Sequence, residues 1–470
     1  MGYYRCASKV EKEYSNGITI DGNYGSLNTS FLFNNYKNFI ADNFDSITIG
    51  NNVNNCTQLF YGCGNLNASV IIGNSVTDCS WMFCDCGFLN QPITIPNNVT
   101  NCHNMFRHCD YLNYPITIPN SAVDCSGMFI GCDHFNQPIN MPDSIVNCIS
   151  MFSLCTNLNQ PVTISNNVFG CDGLFERCSN FNQPVNIPDS VYYCYNTFNS
   201  CYNLNQPIIL GNNIKYCNHM FYNCYNFNQP INMPVTVISC NNMLYGCNSF
   251  NQSLIIPDNV TDCSNMFNRC TNLNQPITMP TNANKCSSMF SRCSKFNQPV
   301  VLGNNVTDCY SMFYYCSNFN QPITIPNNVV DCENMFAYCS NFNQPLTIPN
   351  NVKDCHNMLM SSGFNQDIVI PISVNNCWGM FNNCTDFSGN IYFEVGRDNI
   401  NVTSMLAKCN NSLKKTIYFS WLDYNVGGAI GANNSMSVVG TTISWTSMDN
   451  GYYNTTYNIY CYFNYQFEEL

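Results

Sequence analysis

Charged side chains are scarce: Asp, Glu, Lys and Arg make up 9% of the 470 residues, against ~25% in an ordinary globular chain. Neutral polar groups must therefore cover most of the surface, which argues against both an ordinary cytosolic enzyme and a charged disordered chain. Basic residues are the scarcest, 16 Lys+Arg against 28 Asp+Glu for a net charge of −12. That leaves no cationic footprint for a phosphate backbone and excludes nucleic acid as an expected partner. Histidine is rare too, five residues at His103, His108, His134, His219 and His356. They are scattered over several sequence contexts, so Cys–His nucleophilic chemistry has no foothold. Long apolar runs are missing, which excludes an expected membrane-spanning helix. The opening residues Met1 to Cys6 begin no apolar run, so no secretory signal is expected.

What the chain has is cysteine, 33 residues, and 30 of them obey one rule. Cys56, Cys79, Cys102, Cys125 and onward to Cys355 recur every 23 residues, and a second column from Cys63 to Cys339 follows seven residues behind. The register slips only late, where Ser362 takes the second position, Cys377 arrives after 22 residues and Val402 precedes Cys409. A fixed period of this length marks a solenoid. In one copy, Cys102, Met105, Phe106 and Cys109 fall at i, i+3, i+4 and i+7, an apolar stripe expected to form the structural core. Thr100 is placed to cap a helical start, and Asn113 and Pro115 to end it. Ile116-Thr117-Ile118 alternates in the strand period, and the expected strand repeats every 23 residues. Each unit thus reads as a short parallel strand plus a short helix or helical turn, unable to bury its stripe except by stacking.

The run Val-Thr-Asp-Cys-Ser-Asn-Met-Phe at 260–267, with Cys270 and Leu273-Asn274-Gln275-Pro276-Ile277, resembles the BspA-like leucine-rich-repeat surface proteins. The resemblance covers roughly 46–411 and implies a leucine-rich-repeat solenoid of about sixteen units, with adhesion or protein binding as its usual work. Residues 1–45 then read as an N-terminal cap or docking module. Residues 412–470, rich in β-prone runs such as Ser437 to Ile443, read as a C-terminal β cap or assembly module.

Helical geometry would set the two cysteines of a unit ~10 Å apart, beyond disulfide reach, and would keep neighbouring segments ~8–10 Å apart. A reduced, buried core follows, although tighter turns would bring the columns to ~5 Å and make bridges possible. The Cys-x6-Cys spacing is not that of a structural zinc site, so no metal and no cofactor are expected. The Asn column at Asn113, Asn136, Asn159, Asn182, Asn205 and Asn228 reads as a ladder satisfying turn backbone. The outward positions vary freely and carry Tyr195, Tyr222, Tyr245, Tyr310, Tyr314, Tyr315 and Tyr338, side chains that give large contact area at small entropy cost. These tyrosines are the expected binding surface. No repeated carboxylate pairing suggests catalysis. The expectation is a non-enzymatic structural or binding protein, foremost a virion-associated phage tail or fibre adhesin. Its partners would be a protein or glycan on a host surface and other virion proteins. A BspA-like cell-surface adhesin and an intracellular protein-binding scaffold are the alternatives.

Overall fold

In the structure, a computed structural model, the described residues are 17–21, 27–28, 33, 45–394 and 400–409, together with the strands Thr416–Phe419, Asn434–Val439, Thr442–Ser447 and Thr455–Cys461. They fall into two units, Met1–Val237 and Ile238–Leu470. Both are parallel β-solenoids of the 23-residue coil, about 15 coils in all. No helix occurs among the described residues.

Of the two sequence alternatives, short helix or helical turn, the structure holds turns. In the first unit, Met105, Arg107, Cys109 and Leu112 each donate their N–H to the carbonyl three residues back, at 2.9–3.2 Å. The intervening N–H groups of Cys102, Asn104, Phe106 and His108 point out of the coil. They donate to Asp124, Ser126, Met128 and Ile130 of the next coil at 2.8, 2.9, 2.9 and 2.6 Å. This alternation requires a left-handed residue at two places per coil, Asn104 (φ 51°) and His108 (φ 56°). A positive φ at the third residue is the signature of a type II turn and is incompatible with a continuing right-handed helix. Every left-handed residue among the described ones falls in one of these two columns. Thr100 therefore caps no helix. The corner is made instead by the residue before the first cysteine, whose side chain accepts the N–H two residues on, as Asn101 does from His103 at 3.0 Å.

The apolar stripe survives because i, i+3, i+4 and i+7 share one face of this turn series as they would of a helix. Cys102, Met105, Phe106, Cys109 and Leu112 are fully buried, as are their counterparts in coil after coil. Phe60, Phe83, Phe106, Phe129, Phe152 and Phe175 stack in the first unit with centroids 5.5–5.7 Å apart. Phe267, Phe290, Phe313 and Phe336 do so in the second at 5.5–5.6 Å.

The strands on the other side of the coil are short. Ile139–Asn140 pairs in parallel with Val162–Thr163, and Leu254–Ile255 with Ile277–Thr278. Prolines at either end, such as Pro138 and Pro142, lack the N–H that would extend the ladder. At Ile116–Ile118, where sequence periodicity predicts a strand, no strand forms, yet Ile116 and Ile118 are buried and Thr117 is exposed in the expected alternation. In the first unit Gly17–Ile20 pairs with Ser46–Ile49. In the second, Ile368–Ile370 and Ile391–Phe393 continue in parallel into Thr416–Phe419. That strand's far neighbour is Thr455–Cys461, to which Thr442–Ser447 and Asn434–Val439 add antiparallel.

Two measurements test this packing. Phe106→Ala should lower the unfolding free energy by ~3–5 kcal/mol in chemical denaturation, because it opens a cavity inside a ring stack that cannot collapse. In contrast, Gly131→Ala should cost only ~1–2 kcal/mol, the strain of an L side chain at φ +71° pushed against the His108 ring.

Candidate functional site

The inner columns are the first place to look for chemistry, and their thiols are inert. The 31 cysteines from Cys56 to Cys409 are buried and unbridged. Desolvation holds Cys86, Cys109, Cys155 and Cys316 far above the ordinary thiol range, so the nucleophilic thiolate is suppressed. Each second-column thiol has a structural partner in the preceding coil: Cys109 Sγ donates to the Phe83 carbonyl at 3.1 Å and Cys132 Sγ to Phe106 at 3.0 Å. The Phe106 carbonyl already accepts the Cys109 N–H at 3.0 Å, so the thiol fills the second lone pair of a buried oxygen. The helical distances expected between columns do not hold, since adjacent coils bond through their main chains. Among the described residues no group of three His, Cys, Asp or Glu could hold a metal ion.

The Asn column is the ladder the sequence suggested. Asn113, Asn136, Asn159, Asn182, Asn205 and Asn228 each donate a backbone N–H to the side-chain oxygen of the Asn one coil earlier, at 2.8–2.9 Å. The second unit repeats it from Asn274 to Asn365.

Two polar clusters break the neutrality of the coils. Around Ser126, the hydroxyl meets His103 Nδ1 and Asp124 Oδ1, each at 2.6 Å. The carboxylate sits on the serine and not on the imidazole, so the relay of a serine hydrolase is not formed. In the second unit Asp308, Asp331 and Asp354 pair in consecutive coils. Burial, more than its like-charged neighbours, raises the Asp331 carboxyl, while the Glu333 N–H bond opposes the shift. Glu333, raised mainly by desolvation, lies 3.9 Å from His356.

The outward tyrosines separate by unit. In the second, Tyr314, Tyr315 and Tyr338 come together: Tyr315 stacks on Tyr338 at 4.1 Å, and Tyr314 meets them edge-on at 4.6 and 5.6 Å. Tyr310, exposed, lies on the corner of the same coil as Tyr314 and Tyr315, and Tyr245 lies under Arg269 at 5.7 Å. In the first unit Tyr195 joins Tyr193 and Tyr216 at 5.9 and 5.8 Å, and Tyr222 lies beside His219 at 5.5 Å. Sequence reasoning missed Phe169, Tyr192, Tyr193 and Tyr216, which form a second aromatic patch with Lys215 over Tyr192 at 5.4 Å. Their signal was spacing: Phe169 and Tyr192, like Tyr193 and Tyr216, stand one period apart and therefore side by side.

A core of stacked coils with hydrogen-bonded Asn and outward-varying turns defines a leucine-rich-repeat protein, of the BspA-like kind its repeat resembles. The chain belongs to the family described as "Mycoplasma protein of unknown function, DUF285", whose model matches overlapping stretches from 27–140 through 326–419. A leucine-rich repeat protein from Bacteroides ovatus is similar in structure, with a TM-score of 0.50 at 20% identity over 80% of this chain and 82% of its own. Others are a leucine-rich repeat protein from Eubacterium ventriosum (TM-score 0.39, 15% identity, 72% and 87% covered) and a leucine rich cell surface protein from Faecalibacterium prausnitzii (TM-score 0.30, 19%, 59% and 94%). No curated protein matches the chain. Among the described residues no helix is long and apolar enough to cross a membrane.

The thiols make a pH prediction with a definite sign. A thiol raised in the folded state cannot ionise there, whereas the unfolded chain ionises near pH ~8.5. The unfolded state then binds fewer protons, and stability falls as pH rises, by roughly 1 kcal/mol per pH unit for each buried thiol. Under reducing conditions the urea midpoint should hold steady below pH 8 and collapse between pH 8 and 10; a flat profile would mean that the cysteines are not buried as described.

Proposed function

We propose that the chain is a non-enzymatic adhesin that holds a macromolecular partner on the outward side chains of its coils. The observation that carries this reading is the contrast within each coil. The inner columns hold mainly Cys, Met, Phe and Leu and are buried in coil after coil, while the outer turn positions range over Tyr, Arg, His, Asn and Ser. A backbone held by main-chain bonds to its neighbours presents those side chains rigidly, which lowers the ordering cost of binding. Tyr195, Tyr222, Tyr245, Tyr310, Tyr314, Tyr315 and Tyr338 are the proposed contacts, with the Tyr314–Tyr315–Tyr338 cluster as the centre.

The partner in this reading is a protein or glycan on a host surface, and the setting is a virion, where residues 412–470 hold the protein in a larger assembly. Labelled antibody should then decorate purified particles; recovery of the protein with the cell envelope moves the same adhesin to a cell surface. Replacing Tyr310, Tyr314, Tyr315 and Tyr338 together by Ser should cut adhesion of the purified protein to host cells about tenfold or more, as loss of a central aromatic cluster does. Its melting temperature should barely move, because outward side chains contribute little to the core. Unchanged adhesion would shift the binding face to the strand side, where Ile209, Ile255 and Val301 are exposed.

A further inference from the structure

The second left-handed column of the coil is permissive ground for glycine, and Gly62, Gly131 and Gly246 occupy it. Most coils carry an L residue there instead, and four consecutive coils of the second unit fill it with long or aromatic side chains: Arg269 (φ 66°), Arg292 (φ 62°), Tyr315 (φ 60°) and Tyr338 (φ 62°). A left-handed L residue costs ~1–2 kcal/mol against the right-handed form, and the coil imposes that conformation whichever residue stands there, so it fixes the direction of these four side chains. The two arginines also lie over aromatic rings. Arg292 lies over the rings of Tyr314 and Tyr315 at 5.6 and 5.1 Å, and Arg269 over Tyr245 at 5.7 Å. Among the described residues neither guanidinium forms an ion pair with a carboxylate. The nearby Glu333 is engaged by Asn334 Nδ2 at 3.0 Å and faces His356. Both arginines are exposed. In a chain of net charge −12, this is a row of unspent positive charge on an aromatic bed.

We propose that this Arg–Tyr row, resting on the adhesin reading above, is a binding site for an acidic glycan whose carboxylate or sulfate oxyanions are taken by Arg269 and Arg292. A guanidinium stacked by its face leaves its N–H edge free for a two-pronged oxyanion contact, with its orientation fixed in advance. Tyrosine hydroxyls and ring edges beside it suit sugar hydroxyls and C–H faces. The choice of glycan over an acidic peptide follows from the backbone. The N–H groups of Arg269, Arg292, Tyr315 and Tyr338 are all consumed by the next coil, at 2.8, 2.6, 2.9 and 2.7 Å. An extended peptide finds no main chain to pair with, whereas a glycan asks only for the side chains.

The test uses the full chain with hyaluronan oligosaccharides as the carboxylate probe, dextran sulfate as the sulfate probe, and neutral dextran and poly-glutamate as controls, read by calorimetry. One or both acidic glycans should bind saturably, with affinity falling as salt rises, and neutral dextran should not. Arg269→Gln with Arg292→Gln should weaken that binding about tenfold or more, while the paired Lys variant keeps the charge and loses most of the affinity. The paired Gly variant should abolish binding yet raise the melting temperature, since it releases the backbone strain; that result identifies loss of binding without loss of fold. Binding of neither glycan, equal binding by the Gln variant, or equally tight binding of poly-glutamate would overturn the site. Host-cell adhesion measured on the same Gln variant separates the two proposals: adhesion retained without glycan binding removes only the site, and adhesion absent from the unmodified protein removes the adhesin reading itself.

Discussion

Each coil gives alternate main-chain N–H groups to the coil beside it and keeps the others for its own turns, and the rest of the structure depends on that division. In a helix the chain would satisfy itself and stand ~8–10 Å from its neighbour, with side chains filling the gap. Here the donors of Cys102, Asn104, Phe106 and His108 reach the next coil directly, which draws the coils together at strand-like distance. That closeness makes a column of identical residues a stack. Phenylalanine rings lie face to face, thiols meet the carbonyls of the coil before, and asparagines pass one hydrogen bond to the next along the array.

The demand for buried small groups explains the composition. A wide side chain at either cysteine position would meet its own copy in both neighbouring coils. Cysteine is small and apolar and still offers a weak donor to a carbonyl that would otherwise keep an unfilled lone pair. Ser362 shows a substitution tolerated in the second column: its N–H keeps the turn bond to Leu359 at 3.1 Å, and its hydroxyl faces Cys384 Sγ at 3.7 Å. Scarce charge follows from the same geometry, since a charged residue repeated in register meets like charge one coil away. Asp331 stands between Asp308 and Asp354 in such a row, and its carboxyl is raised by burial first and by those like charges second.

The proposed binding surface lies on the positions this scheme leaves unconstrained. The outward turn residues carry no packing duty, so their variation reflects what they face. The row from Arg269 to Tyr338 stands in the second left-handed column, where the coil fixes the direction of each side chain. No cavity is needed for such a surface; rigidity comes from the main-chain bonds beneath it.

The period, the core columns and the asparagine ladder were legible in the sequence because each is a rule about one residue type at one spacing. Cys102, Met105, Phe106 and Cys109 are buried as their pattern required. The conformation joining them was not legible, because a stripe at i, i+3, i+4 and i+7 is shared by a helix and by successive turns. A trace of the answer stood in the residue two after each first cysteine, where Asn104, Gly127, Gly173, Asn196, Asn242 and Asn265 favour a positive φ. Only the tertiary structure decided that those turns exist, since their remaining donors find partners in another coil. It also decided how the tyrosines meet. Tyr315 and Tyr338, one period apart, stack as their spacing suggests, but the edge-on contact of Tyr314 with both depends on the direction the backbone gives each side chain, which spacing along the chain leaves open.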